Sequence, residues 1–336
     1  MKTKTKILIA AIAILAVIAA GLLYLLRRPA GTVTEGFRFG VVYSRIFAEQ
    51  MGLDWKETYL TIVEDLKPKY LRLPVYWQDI EQERGKFNFG YYDWMMGIAE
   101  KKNVKVILVI GRKTPRWPEC HLPSWLDKNN PESQKEPVLR LIENVVERYK
   151  DRPNLYAWQV ENEPFLPFGD CPLLGGNFLD REIAKVKELD PGHPVVVTDS
   201  GELSAWLPAA KRADIFGTTM YRIVHSPRFG YVEYPLPPRF FWLKANIVHL
   251  FSPGKPITVS ELQAEPWGPK LLYDISVEEM MKTMNFPQFQ KNIEYAKQVG
   301  FPEIYLWGAE WWYWMKTVQG DARYWDYAKE VINSRD

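Results

Sequence analysis

Apolar residues recur along this chain in two alternating rhythms. Short runs rich in β-branched and aromatic residues occupy 37–44, 70–77, 104–111, 155–162, 194–200, 215–221, 256–262 and 303–308. Each has the length and near-continuous apolar character of a strand buried on both faces. Between them lie stretches with apolar residues three and four apart, at 54–68, 136–150, 202–213 and 286–300, the spacing of one helical face. In the first of these Leu60, Ile62, Val63 and Leu66 make up the face. Pro68 stops the helix because it has no N–H for the next turn. Eight strand-then-helix units predict an α/β fold, a closed (β/α)8 TIM barrel over residues 37–336. An open nucleotide-binding sheet would carry a glycine-rich turn after its first strand, and GVVYSRIFAEQMG has no such fingerprint.

The first 28 residues differ in kind. Ile7 to Leu26 is a 20-residue stretch without a charge, flanked by Lys2, Lys4 and Lys6 before it and Arg27 and Arg28 after. That length suits a membrane-spanning helix. A cleaved signal peptide has a shorter apolar core, of about 7 to 15 residues, and a small-residue cleavage site in place of two arginines. The reading is an N-terminal transmembrane anchor over 1–28, a short tether over 29–36 and a catalytic domain over 37–336, with secretion after cleavage as the alternative. The excess of lysines at the amino end places the domain outside the cytoplasm.

Charge changes once that segment is set aside. Without its five basic residues the body has 38 Lys and Arg against 41 Asp and Glu, a net charge of about −3. A slightly acidic body without a basic stripe argues against nucleic acid as a partner, and the sequence names no protein partner. The composition, 47% hydrophobic and 25% charged, is that of a globular domain with a sizeable core. The 14 Trp, 18 Tyr and 16 Phe exceed what packing uses, which suggests an aromatic-lined cleft. The two cysteines, Cys120 and Cys171, both follow predicted strands and so share a rim. They form either a disulfide or two thiols, since sequence alone leaves their Cα separation open. No zinc or cofactor motif is present.

Candidate chemistry sits at two strand ends. WQVENEPF (158–165) ends the fourth run with Glu161, Asn162 and Glu163, and PITVSELQAEPW (256–267) ends the seventh with Glu261. In a parallel barrel the carboxyl ends of the strands carry the active site, so Glu163 and Glu261 form a candidate carboxylate pair. Glycoside cleavage uses such a pair, one carboxyl giving a proton to the leaving oxygen and the other acting as a carboxylate across the anomeric carbon. Arg72 and Tyr221, at the ends of the second and sixth runs, are candidate donors that keep one of them ionised. Glu161 is expected to pair with a cation such as Arg72.

These residues, with LRLPVYW in the second strand and IYLWG in the last, resemble the clan A glycoside hydrolases, the (β/α)8 superfamily that includes cellulases, mannanases and β-galactosidases. The resemblance spans 37 to about 333, and Asn-Glu-Pro is its most specific part. It implies a retaining glycosidase acting on a carbohydrate without cofactor or metal. In it Glu163 is the acid/base, Asn162 binds a sugar 2-hydroxyl, Glu261 is the nucleophile, Arg72 and Tyr221 orient Glu261, and Trp307 floors the sugar. It also implies a local bulge, since strict alternation would put Asn162 and Glu163 on opposite faces. Two departures stand out. Thr219 occupies a position where the cellulase branch usually has histidine, and VIGRKTPRWPECHLPSW is similar to the TPPxW segment of the β-galactosidase-like branch, with Arg116, Trp117 and His121 facing the cleft. Glu265 and Trp267 are further substrate-binding candidates. Of Trp77, Trp117, Trp267, Trp307, Trp311 and Trp312, half are expected in the core. His193, His225 and His249 are expected to be structural or solvated, and the long aromatic segment after the sixth strand to form cleft wall. The competing readings are a glycan-binding barrel without catalysis and a transglycosylase using the same site.

Overall fold

The computed structural model describes residues 36–334, together with isolated helical positions between 9 and 24. The expected anchor, Ile7 to Leu26, therefore falls largely outside the described residues. Among those described, no helix is long and apolar enough to cross a membrane.

Eight parallel strands close a barrel. They are β1 (Arg38–Val42), β2 (Tyr70–Pro74), β3 (Lys105–Ile110), β4 (Leu155–Val160), β5 (Val195–Asp199), β6 (Ile215–Met220), β7 (Ile257–Gln263) and β8 (Glu303–Trp307). Each pairs with its sequence neighbours, and β8 closes on β1 with Val42 opposite Trp307. All eight lie within the runs read from the sequence or overrun them by a residue, because strands covered by helices on one side and barrel packing on the other must be apolar throughout. The interior is filled by Val42, Ile107, Ala157, Val196, Tyr305 and Trp307, and a larger apolar layer lies between strands and helices.

The helix over 54–68 begins at the Asp54 cap, whose side chain accepts from the Glu57 N–H at 2.9 Å. It buries Tyr59, Ile62, Val63 and Leu66, and it ends in a π turn with Lys67 left-handed at φ 54° just before Pro68. Its face thus includes Tyr59, while Leu60 is only half-buried. After β6 comes an antiparallel hairpin, Ile223–Ser226 with Gly230–Glu233, and then the helix Pro238–Phe251.

Cys120 and Cys171 are bridged, with Cα atoms 4.9 Å apart. The bridge ties the segment after β3 to the segment after β4, and the Asp170 N–H donates to the Pro118 carbonyl beside it at 2.9 Å. Cys171→Ser is expected to cost about 2–4 kcal/mol. Denaturant unfolding under oxidising conditions measures this, and an unchanged midpoint would show that the bridge constrains nothing the fold does not already hold.

Candidate active site

The bulge implied near Asn162 is found elsewhere. β4 ends at Val160, and the chain then turns through two non-glycine residues in the left-handed region, Glu161 at φ 56° and Glu163 at φ 44°. Such positions cost about 1–3 kcal/mol each and persist only where their surroundings hold them. Those surroundings are visible. The Glu161 carboxylate accepts the backbone N–H groups of Arg112 and Lys113 at 2.9 and 2.7 Å. Gly111 makes room for it, since a Cβ there would fall 2.6 Å from Glu161 Oε1. Glu161 therefore does not pair with Arg72, as the sequence suggested; it clamps the β3 end to the β4 end.

One bulge lies near the start of β4, where Tyr156 is inserted between the partners of Val106 and Ile107, and another lies in β7. Between Thr218 and Thr219 of β6 the partners in β7 advance from Val259 to Glu261, and β8 shows the same extra residue. Ser260 is thus inserted. An inserted residue re-aims the side chains beyond it, and here it sets Glu261 opposite Thr219. Gly217 permits the approach, because a Cβ there would lie 2.1 Å from Ser260 Oγ.

Arg72, fully buried inside the barrel, organises the centre. It donates from Nε to Gln159 Oε1 at 2.7 Å, from Nη1 to Glu261 Oε1 at 2.7 Å and from Nη2 to Asn162 Oδ1 at 2.8 Å. Tyr221 donates its hydroxyl to the other Glu261 oxygen at 2.9 Å. Burial, and then the Glu261 charge, push the Tyr221 phenol well above its ordinary 10, so it stays a donor. Glu261 thus receives a charge-assisted bond on one oxygen and a phenol on the other, the surroundings of an ionised carboxylate.

Glu163 is placed oppositely. It is buried, and among the described residues no cation hydrogen-bonds its carboxyl group. Oε1 accepts from the Thr219 hydroxyl at 3.1 Å, whose own oxygen accepts the Gly201 N–H at 3.2 Å, which aims the single hydroxyl proton at Glu163. The position where the cellulase branch usually has histidine therefore donates to Glu163 here. Burial first, then the charges of Glu119 and Glu261, raise Glu163 well above the ordinary 4.5 against an opposing Lys113. The Glu163 N–H donates to Thr198 Oγ1 at 3.0 Å, which fixes the backbone beside Asn162.

A cavity of about 520 Å³ adjoins this centre. Trp117, Trp267, Trp307, Glu265, Tyr221 and Phe168 line it. Trp117 is 48% exposed and meets Phe168 edge-on, which in turn meets Trp267, so three rings form one wall. Arg116 covers one face of Trp307 at 4.0 Å and pairs with both Glu265 and Glu310, while the Trp307 indole donates to Glu265 at 2.7 Å. Trp307 thus lines the cavity with one face already covered by a guanidinium.

Other candidates sit differently. His121 is buried on the Tyr76 ring, its Nε2 3.0 Å from the Arg116 carbonyl, and it does not face the cleft. Burial lowers it to about 4, so it is neutral near pH 7. Trp77, Trp311 and Trp312 are core residues. His225, expected to be structural or solvated, lines the cavity beside Pro227, so the segment after β6 does form wall. Two residues were not foreseen. Glu119 is buried, left-handed at φ 53°, and accepts from Asn162 Nδ2 at 3.3 Å. Lys113 donates to the Glu163 carbonyl at 3.0 Å and pairs with Glu119 at 3.3 Å. The available signal was Glu119's place beside Cys120, which any Cys120–Cys171 bridge would draw toward the β4 end.

A closed parallel barrel with two buried glutamates at the carboxyl ends of β4 and β7 defines a (β/α)8 enzyme-type architecture with carboxylate chemistry on that rim. Residues 74–176 match the Glycosyl hydrolase family 10 profile. The chain is 26% identical over 144 residues to β-galactosidase Bga of Halorubrum lacusprofundi and 27% identical over 130 residues to endo-1,4-β-xylanase 3 of Hypocrea jecorina. These alignments take in 38% and 37% of this chain but only 20% and 35% of those relatives, so the chain matches well under two thirds of either. Among solved structures, the Halorubrum lacusprofundi β-galactosidase superposes with a TM-score of 0.59 over 88% of this chain and 57% of that one at 17% identity. The β-galactosidase of Rahnella sp. R3 does so at 0.60 over 90% and 56%, with 12% identity. The family profile, these relatives and the structural neighbours all indicate the clan A superfamily of (β/α)8 glycoside hydrolases.

Proposed function

We propose that this chain hydrolyses β-glycosidic bonds of an oligo- or polysaccharide with retention of configuration, with Glu163 as acid/base and Glu261 as nucleophile. The contrast between the two carboxyl groups carries the reading. One is buried, with a threonine and, among the described residues, no cation bonded to its carboxyl group, and the other is held by Arg72 and Tyr221. That is the division of labour the reaction needs. Glu163 gives its proton to the glycosidic oxygen as Glu261 attacks the anomeric carbon; the bond to the leaving sugar breaks and an ester to Glu261 forms. Glu163, now a carboxylate, takes a proton from water, whose oxygen attacks the same carbon and releases Glu261. Two inversions give net retention.

Asn162, its amide oxygen held by Arg72, is the candidate contact for the 2-hydroxyl, and Trp307, Trp267 and Trp117 offer ring faces to apolar sugar C–H surfaces. The β-galactosidase, xylanase and mannan endo-1,4-β-mannosidase names of the relatives agree with a β-linked substrate. The Cys120–Cys171 bridge and the apolar stretch 7–26 support a domain held outside the cytoplasm by an N-terminal anchor.

A 2-fluoro aryl β-glycoside slows ester hydrolysis and should leave a glycosyl adduct on the peptide that contains Glu261. Intact mass with no adduct across gluco-, galacto-, manno- and xylo-configured probes would favour a binding barrel. A disaccharide product formed in the presence of an acceptor sugar would indicate transglycosylation.

A further inference from the structure

Glu119 is a buried charged group beside the pair that neither the superfamily resemblance nor the proposed mechanism uses. It stands in the segment after β3, where the Cys120–Cys171 bridge and the Asp170 to Pro118 hydrogen bond hold it against the end of β4. The backbone there is close-packed, since a Cβ on Gly169 would fall 2.8 Å from the Glu119 Cβ. Its Oε1 accepts from Asn162 Nδ2 at 3.3 Å, and its Oε2 has only the 3.3 Å ion pair with Lys113. Lys113 in turn donates to the carbonyl oxygens of Glu163 and Leu166 at 3.0 and 3.2 Å. Glu119 is therefore joined to both members of the Asn162-Glu163 pair, to one through a side-chain amide and to the other through a lysine.

The Asn162 amide has a defined orientation for this reason. Its oxygen accepts from Arg72 at 2.8 Å and from Thr198 at 3.2 Å, so its nitrogen points the other way, at Glu119. One N–H is held there, and the second is left for a ligand. We propose that Glu119 is a positioning residue of this active site: it pins the Asn162 amide and, by its negative charge, keeps the transferable proton on Glu163. This deepens the glycosidase reading and rests on it for the chemical meaning of that proton, though not for the electrostatics.

The sign follows from the groups around Glu163. Facing it are Glu119 and Lys113 from the segment after β3, Asp199 from β5, Tyr221 just past β6 and Glu261 from β7. After burial, Glu119 contributes most to raising Glu163, and Lys113 opposes it. Glu119 is itself raised to about 7 by burial, with Lys113 opposing and Glu261 adding to the shift. It is therefore ionised on the alkaline side of neutrality, and its negative charge acts on Glu163 there. Removing the Glu119 charge should make Glu163 easier to ionise, and removing the Lys113 charge should make it harder.

The test uses full-length protein labelled with glutamate carrying 13C at Cδ. The Glu163 resonance is identified by its loss in Glu163→Gln, and its titration midpoint is then followed in wild type, Glu119→Gln and Lys113→Met. Glutamine keeps the acceptor oxygen for Asn162 and removes the charge. The expected result is a midpoint about one pH unit or more lower in Glu119→Gln and higher in Lys113→Met, with the alkaline limb of kcat/KM for any aryl β-glycoside that is turned over moving by the same amount. A Glu163 midpoint in Glu119→Gln within about 0.3 units of wild type overturns the proposal, whatever happens to Lys113→Met, where lost carbonyl contacts bear on folding. If no glycoside is turned over, the glycosidase reading fails while the midpoint still decides the role of Glu119.

Discussion

Glu163→Gln should lower kcat/KM by about 10²–10⁴-fold on glycosides with a poor leaving group, the usual contribution of a positioned general acid, and by much less in the first step when the leaving group is a weakly basic phenol. The reason is local. Among the described residues only Thr219 hydrogen-bonds the Glu163 carboxyl oxygens, and glutamine can occupy that site with no proton to give. Affinity for sugar should survive, because Asn162, Trp307 and Trp267 are untouched. Measuring kcat/KM across aryl glycosides of graded leaving-group pKa separates this from a general loss. An equal drop for every leaving group would point to misplacement of the substrate instead, and unimpaired hydrolysis of the poorest would remove Glu163 from its role. The same assignment fixes the pH response: the acid form is the active one, and burial with two neighbouring carboxylates raises it. Activity should therefore persist well above the pH at which an ordinary glutamate ionises, then fall as the proton leaves.

Arg72→Met should have the largest effect on stability, about 3–5 kcal/mol, because it leaves the buried Glu261 charge without its cation. Methionine fills much of the volume but replaces none of the bonds to Gln159, Glu261 and Asn162. Chemical denaturation of Arg72→Met, Glu261→Gln and the double variant forms a mutant cycle. The double variant should recover part of the loss, since glutamine brings no charge to bury. If Arg72→Met unfolds within about 1 kcal/mol of wild type, Glu261 is either protonated or solvated, and its place as the ionised partner is lost. Trapping with the 2-fluoro glycoside should then fail in the same variant.

The strands and the two glutamates were legible because both depend on local pattern and strand order. Apolar runs separated by helical spacing fix which segments enter the sheet, and strand order fixes which ends share a rim. His121 shows where that logic stops. It lies two residues from Glu119 in a loop whose direction no periodicity encodes; the structure turns His121 inward onto Tyr76 and Glu119 toward Asn162. Glu161 illustrates the same limit at a strand end. Its charge looked like a partner for Arg72, yet the two amide groups of Arg112 and Lys113 reach it first.

By itself the sequence determined the barrel and the placement of Glu163 and Glu261 at the carboxyl ends of its strands, since each follows from periodicity and chain order. Only the tertiary structure decided how the two differ. The inserted Ser260 that turns Glu261 toward Tyr221, the left-handed backbone that delivers Glu163 to Thr219, and the approach of Glu119 to Asn162 and of Lys113 to Glu163 all arise from contacts between segments 40 to 190 residues apart. A carboxyl group's charge depends on what surrounds it in space, and sequence neighbours supply little of that environment here.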